Sequence, residues 1–406
     1  MFILSHPTGN QNMRHTALAL HEAGVLAEAW TCLAFDPQSA FTSLMPRALR
    51  EELLRRSFPS ELRPRLHTRP WREAARLLCK RLGWKTASRH ETGWCCVDAV
   101  YRDLDQRIAK RLTQRDDLSA VYAFEDGAAD TFAAARALGL RTVYDLPIGY
   151  WRAFDDICRS EQELAPAWAV TLGGTQDSAQ KRARKDAELA QADVIVVASQ
   201  FTASTLKRYP GKLAEVHVVP YGAPTPSPEP RTWSTTGPLR VLYVGSLSQR
   251  KGMSYLFEAI GSLGNDIAVT VVGSRVADCP ALDQALAAQT YHPSLPHGRV
   301  LELMRSHDVL IFPSLFEGFG LVITEAMSQG MVVITTPHTA GPDVINDGLD
   351  GFIVPIRDAG AITERLDRLR RDRDLLVHMG EQALTAARQR EWKSFRHDLR
   401  QALSLP

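Results

Sequence analysis

Apolar residues fall into short continuous runs separated by longer stretches of mixed polarity. In the first half, 2–4, 120–124, 142–144, 194–198 and 216–219 read as strands; in the second, 240–244, 267–272, 309–312, 332–335 and 352–354 do. Helical patterns lie between many of them, notably 14–23, 127–138 and the charged run 177–192. Strands that are apolar throughout, rather than on alternate positions, belong to parallel sheets covered on both faces by helices. At 224–230 the chain turns proline-rich and loses its period, which reads as a stiff linker. The expectation is an α/β chain of two Rossmann-like, doubly wound domains, 1–225 and 238–385, joined by a linker at 226–237. A C-terminal helix at 386–406 is expected to cross back to the first domain. Ligands of such folds bind where the C-terminal ends of the strands meet a cleft.

Composition narrows the classes. At 406 residues, with 45% hydrophobic and 23% charged, both halves can bury a core and disorder is excluded. A formal charge of +2 argues against a globally basic nucleic-acid binder. The six cysteines form no CxxC pair, so they read as reduced thiols rather than a disulfide framework or metal site. The apolar runs are far too short to span a bilayer, and 1–10 lacks the basic start of a secretory signal. The expected location is the cytoplasm, with peripheral contact to the cytoplasmic face of the inner membrane as an option.

Two stretches carry candidate chemistry. In the first, a buried strand ends at Pro313-Ser314, a loop holds Glu317-Gly318-Phe319-Gly320, and a helix begins near Leu321 with Glu325 about a turn inside it. The glycines let backbone N–H groups and the helix start face an anion, flanked by two carboxylates. Anion site plus carboxylates suits a ligand with phosphates in its middle and hydroxyls at one end, a sugar nucleotide. In the second stretch, strand 241–244 feeds Gly245-Ser246, the basic pair Arg250-Lys251 and Gly252, then a helix: a phosphate site on the same physical grounds. For each stretch taken alone, a plain strand–turn–helix with solvated charges is the competing reading.

The Glu317-Gly-Phe-Gly…Glu325 and Gly245-Ser-Leu-Ser-Gln-Arg-Lys-Gly252 blocks resemble the family 4 retaining glycosyltransferases of the GT-B fold. The stretches 198–206, 218–224 and 341–354 are similar to lesser motifs of that family. The resemblance covers the second half well and the first half patchily. It implies that Glu325 holds the ribose hydroxyls and Glu317 contacts the donor sugar. Gly318, Phe319, Gly320 and Leu321 would line the sugar and phosphates. Lys251 and Arg250 would neutralise the diphosphate as it leaves, stabilising charge that grows in the transition state. Arg275, Val300 and Leu301 fall where the family contacts the base, and Gly245 and Ser246 where it contacts phosphate. Gly9 and Asn10 correspond to its first glycine loop. No metal or other cofactor is implied; the nucleotide sugar, UDP- or GDP-linked, is a co-substrate.

Two departures stand out. Ser246 occupies a position where relatives carry arginine, which Arg250 would replace. Glu125 and Asp126 stand where relatives present a histidine; either a carboxylate there serves the acceptor hydroxyl, or Asp126 caps the following helix. His6 ends the first strand and is a further cleft candidate. The implied activity is retaining transfer of a hexosyl group to a hydroxyl acceptor, a glycan or lipid-linked glycan of the bacterial cell surface. A GT-B epimerase and a catalytically silent scaffold are the competing readings.

Residues 47–89 hold thirteen basic against four acidic side chains, an excess of nine. Within them Trp71, Ala74, Ala75, Leu78 and Leu82 share a helical face, with Trp84 close by. That composition fits an anionic membrane surface; an amphipathic helix packed on the sheet is the alternative. Aromatic interleaving is too sparse for nucleic acid.

Overall fold

The computed structural model describes residues 1–36, 56–173, 177–227, 229–233 and 235–406. Two parallel sheets organise them. The first has seven strands: β1 (Phe2–Ser5), β2 (Leu26–Thr31), β3 (Leu66–Thr68), β4 (Ala120–Phe124), β5 (Arg141–Leu146), β6 (Val194–Val197) and β7 (Glu215–Val218), in the order β3-β2-β1-β4-β5-β6-β7. The second has six: β8 (Leu239–Val244), β9 (Ile267–Val272), β10 (Thr290–His292), β11 (Val309–Phe312), β12 (Val332–Thr335) and β13 (Gly351–Ile353), in the order β10-β9-β8-β11-β12-β13. The chain is the α/β, two-domain, doubly wound protein expected from its apolar runs.

The central strands are buried on both faces because their sequences are apolar at every position: Ala120-Val-Tyr-Ala-Phe124 in β4 and Val309-Leu-Ile-Phe312 in β11 have no exposed residue. Strand order reverses between β1 and β4 in the first sheet and between β8 and β11 in the second. At such a switch point the loops leaving the two strands diverge and open a crevice. The Gly245–Gly252 stretch leaves β8 and the Glu317–Gly320 stretch follows β11, so the second sheet delivers both motifs to one crevice.

Three strands escape the sequence pattern. β2 contains Glu28, which is buried only because Trp30 Nε1, Arg111 and Arg115 donate to its carboxylate at 2.7, 2.6 and 2.6 Å. β3 and β10 are three-residue edge strands with polar His67 and Thr290. Of the basic region, 47–55 lies outside the described residues. The proline-rich stretch also does more than space the domains: Arg231 donates to the carbonyl of Met304 at 3.0 Å and to those of Gln329 and His307, and Trp233 Nε1 donates to that of Gly330 at 3.2 Å.

Several contacts join the domains. The buried Glu161 carboxylate, on the helix Trp151–Leu164, accepts from Arg357 Nε at 2.5 Å, Gln249 Nε2 at 2.8 Å and Tyr255 hydroxyl at 3.1 Å, all in the second domain. The last helix, Trp392–Ala402, lies against the first helix, Gln11–Glu22. Trp392 stacks on His15 with ring centroids 4.1 Å apart, and Arg396 pairs with Glu22 at 2.8 Å. All six cysteines are buried free thiols.

Candidate functional site

A pocket of about 370 Å³ opens at the β8/β11 switch point, between the domains. Its second-domain wall is Val244, Gly245, Ser246, Arg250, Lys251, Phe312, Glu317 and the segment 319–322; Asn12, Pro147 and Tyr221 complete it from the first domain. The sequence folds this way locally for steric reasons. Gly252 adopts φ +72°, and a Cβ there would lie 2.1 Å from the carbonyl oxygen of Pro313, so only glycine lets the β8 loop seat against the β11 loop. Gly318 approaches the first domain as closely: a Cβ would lie 1.8 Å from the Pro147 carbonyl oxygen. Its own carbonyl accepts the hydroxyls of Ser199 and Thr202. The Glu317 loop is thus gripped from both sides.

Inside the pocket, Lys251 forms an ion pair with Glu317 and sits 4.6 Å from the centroid of the Phe312 ring. Arg250 Nη1 donates to the Phe316 carbonyl at 2.7 Å and lies 3.4 Å from Glu317 Oε2. Burial, then the charge of Arg250, lowers the Lys251 pKa from its ordinary value. Glu317 is the carboxylate paired with that amine. Gly320, at φ +82°, opens the helix Leu321–Ser328, whose first N–H groups have no side-chain cap. Two cations, a helix start and a glycine turn around one cavity are suited to a diphosphate.

The expected residues divide accordingly. Gly245, Ser246, Arg250, Lys251, Glu317, Phe319, Gly320 and Leu321 line the pocket, and Gly318 braces it. Glu325 lies outside the wall, one turn into its helix, with its carboxylate 2.9 Å from His297 Nε2. Arg275 also lies outside, paired with Asp283 and stacked 5.6 Å from the Tyr291 centroid. Val300 is buried and Leu301 half-buried against the second core. Gly9 and Asn10 do not reach the pocket: Gly9 turns the chain at φ +57°, and the Asn10 side chain caps the first helix by accepting from Met13 N–H at 2.9 Å. Asn12, two residues on, reaches it instead.

Glu125 and Asp126 stand apart from this pocket. Lys185 lies 3.3 Å from Glu125 and 3.7 Å from Asp126, and Arg184 lies 3.6 Å from Asp126. Burial raises Glu125 to about 7, with Lys185 opposing the shift. The capping role expected for Asp126 is not realised. The helix starts only at Ala129; Asp126 sits at φ +69°, turned toward the two cations, and Asp105 takes the exposed N–H groups of Asp130 and Thr131 at 2.9 and 2.8 Å. His6 is buried against Phe124, and burial lowers it to about 4, so it is neutral.

Sequence reasoning missed Asn12, Pro147 and Tyr221. Asn12 Oδ1 and the Tyr221 hydroxyl are buried and have no well-formed hydrogen bond among the described residues. Tyr221 had one available signal, its place in the Val218–Pro224 motif, and Asn12 had another, its place beside Asn10 in the turn that opens the first helix; Pro147 had none, because it comes from a loop distant in sequence.

The architecture defines a GT-B fold, and solved structures share it end to end. Sucrose-phosphate synthase from Thermosynechococcus elongatus superposes with a TM-score of 0.66 at 17% identity, covering 99% of this chain and 98% of that one. Anabaena HepE in complex with UDP superposes with a TM-score of 0.61 at 15% identity, covering 99% of each chain. Within this fold, residues 230–385 match the family model described as glycosyl transferases group 1. The capsular polysaccharide biosynthesis glycosyltransferase CapM of Staphylococcus aureus is 31% identical over 145 residues, 34% of this chain and 38% of that protein. Among the first curated relatives it matches, the chain spans 36% to 56% of their own length.

Proposed function

We propose that this protein is a family 4 glycosyltransferase that moves a hexosyl group, with retention, from a nucleotide sugar to a hydroxyl of a glycan or lipid-linked glycan. The observation that carries this reading is the pocket that gathers Arg250, Lys251, Glu317 and the Gly320 helix start at the switch point. The match of 230–385 to the glycosyl transferases group 1 model supports the activity, and the capsular relative supports cell-surface polysaccharide or glycolipid assembly. The UDP held by HepE favours a uridine over a guanosine donor.

In this mechanism the donor diphosphate displaces Glu317 from Lys251 and takes the ammonium, Arg250 and the helix N–H groups as its own countercharges. Glu317, released, accepts donor-sugar hydroxyls. As the anomeric C–O bond breaks, its electron pair goes to the phosphate, where Lys251 and Arg250 meet the growing charge. The acceptor oxygen bonds the anomeric carbon from the same face and passes its proton to a phosphate oxygen. The charge stabilisation assigned to metals in other transferases falls here to side chains and backbone.

The test is a thermal-shift panel of UDP, GDP, ADP, dTDP and their sugar conjugates, followed by donor turnover with and without acceptor. A ligand bound only by the folded state at a hundredfold excess over Kd stabilises it by about 2.7 kcal/mol. A shift with one base and acceptor-dependent turnover is expected. Turnover of donor with no acceptor would instead mark an epimerase, a shift with no turnover would mark a nucleotide-sugar-binding scaffold, and no shift with any nucleotide would overturn the nucleotide-sugar reading.

A further inference from the structure

The helix Trp71–Arg81 is mounted with its apolar stripe outward. Trp71 is 73% exposed, Leu78 55% and Leu82 52%, and beyond the helix Trp84 and Trp94 are each 61% exposed. The face turned inward is held by polar contacts. Buried Glu73 takes Arg56 Nη2 at 2.7 Å and Arg76 Nε at 2.7 Å. Arg72 donates to the Trp94 carbonyl and lies 5.4 Å from that ring's centroid. The reading in which this helix packs its apolar side on the sheet is therefore overturned. Exposed aliphatic and indole groups gathered on one element mark a contact surface.

Charge identifies the occupant. Lys80, Arg81, Lys85 and Arg89 are exposed and have no ion-pair partner among the described residues. Protein interfaces are depleted in lysine, whereas tryptophan with a basic surround is the composition of the lipid headgroup boundary. No helix among the described residues is long and apolar enough to cross a membrane. We infer that the surface formed by Trp71, Leu78, Leu82 and Trp84 with Lys80, Arg81 and Lys85 docks this protein on an anionic phospholipid bilayer. Trp71 follows the C-terminal end of β3 by three residues, on the sheet edge where all seven parallel strands end and the cleft lies. Docking there presents the cleft to hydroxyls borne on lipid, a consequence that rests on the proposed transferase reading.

The experiment is flotation of the full chain with phosphatidylcholine vesicles, with and without phosphatidylglycerol, in low and high salt. Binding is expected to favour the anionic vesicles by about tenfold or more and to weaken with salt. Replacing Lys80, Arg81 or Lys85 with Gln is expected to cost roughly fivefold each. Trp71→Ser with Leu78→Ser and Trp84→Ser is expected to abolish binding while the unfolding midpoint stays in place, because these side chains are exposed. Equal binding to both vesicle types, or wild-type binding by the triple variant, would overturn docking. So would self-association without lipid that the triple variant loses, since a second copy would then be the occupant. Nucleotide-dependent thermal shifts are independent of all these outcomes, so failure of docking and failure of the transferase reading are separable.

Discussion

Lys251 pairs with Glu317, and in the proposed mechanism a donor diphosphate takes Glu317's place beside it and meets it as the leaving group's countercharge. Lys251→Ala should therefore lower kcat by roughly a hundredfold or more, with a smaller change in donor affinity, as steady-state kinetics beside nucleotide titration will read. A fall in affinity alone would remove it from the chemistry. Asp145 carries a different kind of consequence. It is buried behind Tyr122, whose hydroxyl donates to it at 2.6 Å, and burial raises it from 3.8 to about 7. The folded state thus binds its proton more tightly than the unfolded chain does. Its stabilising share is complete below about pH 4 and is lost as pH rises to about 7. At 1.36 kcal/mol per pH unit the change is on the order of 4 kcal/mol. Asp145→Asn should flatten the stability curve across that window, measured by urea unfolding at several pH values; an unaltered slope would mean that other groups control it.

At the scale of elements, helix ends here are finished by side chains from elsewhere in the chain. The start of the helix Ala129–Ala137 has no cap of its own; Asp105 takes two of its N–H groups, and Glu188 takes those of Asp126 and Ala128 at 2.9 and 3.1 Å. Asp105→Ala should cost about 1–2 kcal/mol, visible as a lower urea midpoint at unchanged m-value. A neutral outcome would return the capping role to the loop itself. The same borrowing explains what sequence pattern could not see. β2 fails the apolar test because Glu28 sits in it, and Trp30 together with Arg111 and Arg115, far along the chain, makes that burial tolerable. The inverted helix at Trp71 fails in the other direction: its stripe is plain in the sequence, but which way the stripe faces depends on contacts from outside the helix, Arg56 to Glu73 and Arg72 to the Trp94 carbonyl.

For the whole molecule, the contact between the domains decides whether the pocket has two walls. Glu161 bridges them through Arg357, Gln249 and Tyr255, and losing one partner of such a buried network costs about 3 kcal/mol. Glu161→Ala should open the cleft, seen as a larger radius of gyration in solution scattering and roughly tenfold higher KM for donor. An unchanged radius and KM would assign closure to the Gly318 grip and the Trp392–Ala402 helix instead.

Much of this was set by the chain's own order of residues. Uniformly apolar strands alternating with helices dictated parallel sheets, and glycines beside Arg250, Lys251 and Glu317 dictated the tight turns that line the pocket, because both follow from local sterics and hydration. The tertiary structure decided what local physics cannot. It brought Asn12, Pro147 and Tyr221 to the pocket and kept Glu125 and Asp126 out of it beside Lys185. It also turned Trp71 and Leu78 outward, since each of these outcomes depends on partners far along the chain that only folding brings within a few ångströms.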